Sequence, residues 1–398
     1  MKRVYLNRSN TQIAGSKTIR NINRQIVLNY VRDLAPISRA AIARETTLNR
    51  STVSAIVETL YADGFIEEIG RGLSSGGRKP TLLKLKTGKP VALGVDITPR
   101  LTTIAVADMG GKILEREDFP TVPEIGEMTA TVIEKVSKFA GLFKKNVIEI
   151  GISVPGITDY STGKVLYIPY FQWRDWDISR LLAEKTGLNV TIENDANATA
   201  FAELWFGGKK MREIKNFVTV LVGEGIGTGI IFDGQIYRGE KGAAGEFGHM
   251  IIGEETAAVC SCGSHNCWES LASEKASLVR YNQIFFEKTG HRRCFNFGEL
   301  IEAASNVEPD AVRVLKETGK FLGIGISNLI VGLSPQAIIV SGGITAAWDI
   351  IADEIHAFAG SSVRNGLPTT FLTTSTLGSQ PTLIGAINLV LAKKFASA

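Results

Sequence analysis

Apolar positions recur with helical spacing through the first sixty residues and then change period. Val27, Tyr30, Val31 and Leu34 fall at i, i+3, i+4 and i+7, predicting a helix that ends at Pro36. Ser38 is placed to cap a short second helix through Arg44. After Thr46-Thr47-Leu48, a third helix is predicted from about Arg50, with Val53, Ile56, Val57 and Leu60 on one face. Asn49 or Ser51 could cap it, and Asp63-Gly64 stops it. Phe65–Ile69 and the alternating Thr81–Lys86 flank a glycine-rich basic stretch, Gly70–Pro80, which together predict a hairpin with a long tip. Three short helices followed by a basic hairpin point to a winged helix-turn-helix over residues 1–88, and a three-helix protein-interaction module is the alternative. The third helix presents Arg50, Ser51, Thr52 and Ser54 away from its apolar face, where short polar and Arg side chains read base edges in the major groove. Arg71, Arg78 and Lys79 on the tip would enter the minor groove or clamp phosphates.

From Lys89 the pattern becomes strands alternating with helices. Val91–Ile97, Thr102–Asp108 and Ile113–Asp118 predict a meander, followed by a helix carrying Val132, Val136, Phe139 and Ala140 and then a strand, Val147–Val154. A second round opens with strands Phe217–Val222 and Gly229–Phe232 and closes with a buried strand, Ala337–Val340. Two such rounds predict a duplicated α/β body with lobes at 89–207 and 208–382, a ligand cleft between them, and a C-terminal helix at about 383–398 returning to the first lobe. Phe321–Trp348 carries no charge over 28 residues, but five glycines, Asn328 and Ser334-Pro335-Gln336 interrupt it, so a buried helix and strand are expected and no membrane insertion.

Composition sharpens this division. The chain has 398 residues, 44% hydrophobic and 21% charged, as an ordinary globular protein does. Its formal net charge of +4 hides 16 Lys+Arg against 6 Asp+Glu in residues 1–90, leaving 28 against 34 in the rest. A basic head on an acidic body suggests a polyanion-binding segment joined to something else. Four cysteines cannot form a disulfide framework, and the polar N-terminal run Met1–Arg8 offers no secretory leader, so a cytoplasmic protein is expected.

Three of those cysteines crowd into eight residues. His249 with Cys260, Cys262 and Cys267 would satisfy tetrahedral Zn²⁺ and leave no open position, making the metal structural, with buried free cysteines as the alternative. His265 is a competing ligand inside the tight Cys262–Cys267 turn, whereas Cys294 and His291 read as structural or surface residues. Gly223-Glu-Gly-Ile-Gly-Thr-Gly229 could bring backbone amides to a phosphate, or could simply be a tight hairpin. Ser341-Gly342-Gly343 is a second such turn. Glu193-Asn194-Asp195-Ala196-Asn197 follows a short strand, Val190–Ile192. Asn194 and Asp195 there could bond sugar hydroxyls, with Asp195 also able to act as a base, or the pair could serve as a helix cap. Glu246 and Glu269 add carboxylates beside the metal ligands, and His249 could couple metal to cleft through its second ring nitrogen.

These residues together resemble the ROK family (repressors, open reading frames and sugar kinases), in its winged-helix repressor branch, over nearly the whole chain from about Gly15. The segments that carry the resemblance are Ser38–Ala43, Ser51–Ser54, Gly76–Thr81, Val154-Pro-Gly156, Glu193–Asn197, Ala244–His249 and Cys260–Glu269. The resemblance implies an actin-like, hexokinase-like two-lobed body. It implies a sugar held at Gly156, Asn194, Asp195, Glu246, His249 and Glu269, and zinc at His249, Cys260, Cys262 and Cys267. It also implies an unphosphorylated aldose such as glucose or xylose, with selectivity set near Tyr167–Trp176. In the family's kinases the position of Asp195 is the catalytic base, acting with ATP and Mg²⁺.

Two departures stand out. The family's kinases hold ATP phosphates on an Asp-x-Gly-Gly-Thr turn, and here the strand ends Asp96-Ile97-Thr98-Pro99-Arg100. Proline removes an amide donor, and phosphoryl transfer depends on that cradle. Asn266 stands where the family has glycine before the last cysteine, which calls for a left-handed residue there. The expected function is therefore a sugar-responsive repressor, at least dimeric, released from a palindromic operator by a free sugar; the alternative is a sugar kinase with a DNA-binding head.

Overall fold

The computed structural model describes residues 16–72, 79–89, 91–143, 146–253, 255–360 and 369–395. The chain begins with α1 (Ser16–Leu34), β1 (Ile37–Ser38), α2 (Arg39–Thr46), α3 (Arg50–Ala62), β2 (Ile66–Arg71) and β3 (Thr81–Leu85). Ser38 caps α2 as expected, its Oγ accepting the Ala41 amide at 3.2 Å. Of the two candidate caps of α3, Asn49 occupies the cap position, without a side-chain cap bond. Val53, Ile56, Val57 and Leu60 are buried, as their spacing requires. The three strands form one antiparallel sheet in the order β1-β3-β2. Arg78 lies outside the described residues, while Arg71 and Lys79 flank the hairpin tip in exposed positions.

The first round of the body comprises β4 (Ala92–Ile97), β5 (Leu101–Ala107), β6 (Ile113–Pro120), α4 (Ile125–Leu142) and β7 (Glu149–Val154). A small sheet of β8 (Ile157–Asp159), β9 (Lys164–Ile168) and β10 (Trp173–Trp176) follows, then α5 (Ile178–Thr186), β11 (Asn189–Asn194) and α6 (Asp195–Phe206). The second round comprises β12 (Phe217–Val222), β13 (Ile226–Phe232), β14 (Gln235–Ile236), α7 (Trp268–Ala272), α8 (Glu274–Thr289), α9 (Phe297–Ser305), α10 (Pro309–Leu333), β15 (Ala337–Gly342), α11 (Trp348–Gly360) and β16 (Phe371–Thr374). The chain closes with α12 (Pro381–Phe395).

The two large sheets repeat one plan. Their orders are β11-β7-β4-β5-β6 and β14-β13-β12-β15-β16. In each, three consecutive strands make an antiparallel meander, and two later strands add in parallel beside the first. The duplication read from the hydrophobic pattern is therefore realised in topology.

One strand starts earlier than its sequence suggests. β13 begins at Ile226 rather than Gly229, so Gly227 and Gly229 sit inside the strand. A Cβ at Gly229 would overlap Ala196 O and the Ala200 side chain of α6, so this glycine lets helix and strand approach closely. Alanine occupies every second position from Ala196 to Ala202 in α6, and Ala196, Ala198, Ala200 and Ala202 are all buried.

The uncharged stretch divides as expected into the end of α10 and the buried strand β15. Among the described residues no helix is long and apolar enough to cross a membrane. α12 packs on β4, β7 and α6. One apolar core runs without a break from Leu28, Val31 and Leu60 at the N-terminal end into Ile387, Leu391 and Phe395 of α12.

Candidate functional site

Strand ends and turns from both large sheets face one cleft of about 600 Å³. Parallel strands deliver their C-terminal ends to the same edge, so residues far apart in the chain meet there. Gly156, Asn194, Asp195, Glu246, His249 and Glu269, all expected at the site, line this cleft.

Asn194 serves as both cap and lining residue. Its Oδ1 accepts the Asn197 amide at 3.1 Å at the start of α6, and its Nδ2 donates to Gly156 O at 3.1 Å. The neighbouring Asp195 Oδ1 accepts the Ala196 amide at 2.8 Å. Burial pushes the Asp195 carboxyl up to about 7, with the Asp96 and Glu246 carboxylates adding to the effect. Asp96, also buried, is raised to about 6, and its Oδ2 accepts the Thr382 hydroxyl at 2.6 Å. Behind this corner, Glu193 is 1% exposed and pairs with Arg238 at 2.7 Å.

Glu246 and His249 belong to one 3₁₀ turn entered through Gly245, whose φ of 89° suits glycine. His249 Nε2 stands 3.5 Å from Glu246 Oε2, and its Nδ1 stands 3.3 Å from Cys260 Sγ. The carboxyl of Glu246 is raised by burial, against the pull of His249. Glu269, on the first turn of α7, accepts the Ile226 amide on Oε2 at 3.0 Å and the Cys260 thiol on Oε1 at 3.1 Å.

His249, Cys260, Cys262 and Cys267 bring one ligand atom each within 4.8 Å of one another. Three sulfurs and an imidazole nitrogen at that separation can hold a metal ion, and the set suits tetrahedral zinc. Cys267 sits at the cap of α7 and Cys260–Gly263 forms a tight turn, so an ion here would pin the loop that carries Glu269. The competing His265 is exposed and bonds Thr256 O at 3.1 Å through Nδ1. Cys294 is buried apart from this cluster, and His291 is exposed. Asn266 corrects an expectation: it is not among the positive-φ residues, and Gly263 takes the left-handed turn instead, with φ of 85°. A non-glycine residue is therefore unstrained at Asn266.

In the other half of the cleft several turn amides are bonded within the protein. Thr98 donates its amide to Leu101 O at 3.0 Å, and its Oγ1 accepts the Leu101 amide at 3.1 Å. Gly223 donates to Gly225 O at 2.9 Å, and its own carbonyl accepts the Glu274 amide at 2.9 Å. Arg100 reaches across the cleft to form an ion pair with Glu224. Burial, with Glu224 beside it, raises Glu274 to about 7.

Sequence reasoning did not single out Arg100, Glu224 or Glu274 as pairing partners, because they come from separate turns. Tyr167 and Tyr170 line the cleft, as the segment 167–176 suggested. Trp173 and Trp176 do not: both are buried in the first lobe's core, donating Nε1 to Pro123 O at 2.7 Å and Thr129 Oγ1 at 2.8 Å. On α3, Arg50 and Ser51 are exposed, while Thr52 and Ser54 are half-buried.

Residues 92–393 match the ROK family. The chain is 32% identical over 384 residues to the xylose repressor of Bacillus spizizenii, covering 95% of this chain and 97% of that one. A solved ROK-family transcriptional regulator, a homologue of the Escherichia coli MLC protein, superposes with a TM-score of 0.76 at 25% identity, covering 95% of this chain and 98% of the other. A ROK-family glucokinase from Streptomyces griseus, solved with glucose and AMPPNP, superposes with a TM-score of 0.67 at 27% identity, covering 76% of this chain and 99% of the other. The kinase thus covers about three quarters of the chain and the regulator nearly all of it, and the chain belongs to the ROK family.

Proposed function

We propose that this protein is a sugar-responsive transcriptional repressor whose head, residues 1–88, is a winged helix-turn-helix that binds operator DNA. In this reading Arg50, Ser51, Thr52 and Ser54 read bases, and Arg71, Arg78 and Lys79 hold phosphates. Residues 89–207, with α12, and 208–382 form the two lobes that take a free aldose between Gly156, Asn194, Asp195, Glu246, His249 and Glu269. Carboxylates and amides in such a corner bond the vicinal hydroxyls of a sugar, and Glu246 and Glu269 come from the lobe opposite Asn194 and Asp195, so binding favours closure. Zinc at His249, Cys260, Cys262 and Cys267 would hold Glu269 and His249 in place without taking part in chemistry. A two-fold operator calls for at least a dimer.

The observation that carries the repressor reading over a kinase is the Thr98-Pro99-Arg100 turn. Its Thr98 amide and hydroxyl are both bonded to Leu101, and Arg100 is paired with Glu224 across the cleft. Phosphoryl transfer needs oriented donors on the phosphates, and here Pro99 has no amide to give and the Thr98 amide is already bonded to Leu101 O. Asp195, with its carboxyl near neutrality, is the one feature that suits a kinase base.

Two measurements test the reading together. Fluorescence anisotropy with an operator fragment selected from a random pool should show binding that D-glucose or D-xylose reverses, and the same sugar should raise the melting temperature. A coupled ADP-release assay with ATP, Mg²⁺ and those sugars should show no turnover; rates near ~1 s⁻¹ would establish the kinase instead.

A further inference from the structure

Two helices begin at the cleft that holds the proposed sugar site and end beneath the head. α6 starts at Asp195, capped by Asn194, and its 12 residues carry the chain about 18 Å to Phe206. α12 starts at Pro381, beside the Thr382 hydroxyl bonded to Asp96, and its 15 residues run about 22 Å to Phe395. The two pack backbone to backbone: a Cβ at Gly385 would stand 2.8 Å from the Ala198 carbonyl carbon. Contacts this close leave no slack for one helix to move without the other.

The far ends of this pair meet the head at one side chain. Arg32 of α1 is 14% exposed, with its guanidinium carbon 5.1 Å from the Trp205 ring centre and 4.7 Å from that of Phe395. Trp205 belongs to α6 and Phe395 to α12, and their rings stack on each other at 6.5 Å. Asn29, one turn earlier on α1, donates Nδ2 to Phe395 O at 2.8 Å. Neither Arg32 Nη1 nor Trp205 Nε1 has a hydrogen-bond partner among the described residues. Arg32 Nε and Nη2 bond Asp33 of α1 at 2.8 and 3.2 Å, so the guanidinium is fixed to the head by that carboxylate and meets the body by stacking, an interaction that depends on how the rings are tilted.

We propose that α6 and α12 move as one rigid pair when sugar engages Asn194 and Asp195, and that Arg32, held against Trp205 and Phe395, passes that movement to the DNA-binding head. The inference rests on the sugar site assigned above. Its physical content is a coupling free energy between two sites, carried by an element that both of them touch.

Arg32→Lys and Trp205→Leu test it. Lysine keeps the charge but loses the planar stack, and leucine keeps an apolar side chain in the body while leaving the head intact. Titration calorimetry with D-glucose or D-xylose should give sugar affinities within about twofold of wild type for both variants, and operator affinity without sugar should stay within about threefold. The ratio of operator Kd with saturating sugar to that without should fall at least about tenfold towards one. Wild-type ratios in both variants would overturn the proposal. Loss of sugar-free operator binding in both would overturn it too, since the stack would then merely support the head. Asp195→Ala separates this outcome from failure of the site: wild-type sugar affinity in that variant refutes the site, whereas lost affinity there with normal coupling in the Arg32 and Trp205 variants refutes the transmission alone.

Discussion

Cys260 Sγ lies 3.1 Å from Glu269 Oε1, so a carboxylate of the proposed sugar site is in direct contact with a proposed metal ligand. The second oxygen of Glu269 is fixed by the Ile226 amide at 3.0 Å. Whatever orders the cysteine loop therefore also orders Glu269. Purified protein should contain about one zinc per chain by plasma mass spectrometry, and Cys262→Ser should lose it. Calorimetry should then show sugar affinity weakened about tenfold, or ~1.4 kcal/mol, with sugar-free operator binding unchanged. Full sugar affinity in a zinc-free variant would detach the metal from the site.

Asp195 gives a pH prediction with a definite sign. Burial raises its carboxyl from 3.8 to about 7, so the folded apo protein holds a proton that the unfolded chain has released. That contribution to stability is fully present below the unfolded value and is lost as pH rises through about 7. Asp195→Asn removes the buried charge and keeps an oxygen for the Ala196 amide. It should raise apo stability at pH 8 by roughly 1–3 kcal/mol, flatten the decline between pH 5 and 8, and abolish the sugar response. Asp96 and Glu274, raised to about 6 and about 7, leave a residual slope. Melting curves from pH 4 to 8 in wild type and variant check the sign, and an unchanged slope in the variant would place the titrating group elsewhere.

How much of this could be read from the chain follows the range of each interaction. The helices bearing Val53–Leu60 and Val132–Phe139 are periodic over several turns, and their buried faces needed no tertiary information. The two meanders were legible for the same reason, down to the repeated strand plan. Gly227 and Gly229 misled, because a glycine that admits a neighbouring helix looks locally like a glycine that makes a turn. Asn194 and Asp195 were legible as a pair of alternatives, cap or site, and Asn194 proves to be a cap that also lines the cleft. The Arg100–Glu224 and Arg32–Trp205 contacts were not legible at all. Each joins residues more than a hundred positions apart, and no local pattern records which exposed-looking cation meets which partner.

The head offers a test that separates positioning from reading. Arg50 stands exposed at the N-terminal end of α3, and Arg71 stands exposed at the end of β2. Neither forms an ion pair among the described residues, in contrast to Arg39 with Glu68 at 3.1 Å and Arg24 with Asp63 at 2.7 Å. Arg50→Ala should cost about 1–3 kcal/mol on the selected operator and little on random DNA. Arg71→Ala should weaken both alike and lower the slope of log K against log salt by about 1. Anisotropy titrations between 50 and 200 mM salt, on both DNAs, distinguish the two roles, and identical behaviour of the variants would refute the assignment.

The pair formed by Arg238 and Glu193 fastens the proposed sugar corner from the opposite half of the body. Arg238 follows β14, and Glu193 lies near the end of β11, so their 2.7 Å contact joins the two large sheets. Glu193 is 1% exposed, and its Oε1 accepts the Asn194 amide at 3.1 Å and the Asn197 side-chain amide at 3.3 Å. Arg238 also lies over the Tyr160 ring at 4.0 Å, which keeps its guanidinium in place. Removing the arginine leaves a buried carboxylate without its cation, a change that costs about 3–5 kcal/mol in comparable settings. Arg238→Ala should therefore lower the melting temperature sharply at neutral pH. Adding Glu193→Gln should restore much of that loss, because glutamine keeps an oxygen for both amides and carries no charge to strand. Urea unfolding of the single and double variants measures the coupling directly. Additive losses would show that the pair does not act as a unit, whereas rescue by Glu193→Gln would show that the charge of Glu193, rather than its shape, is what Arg238 neutralises.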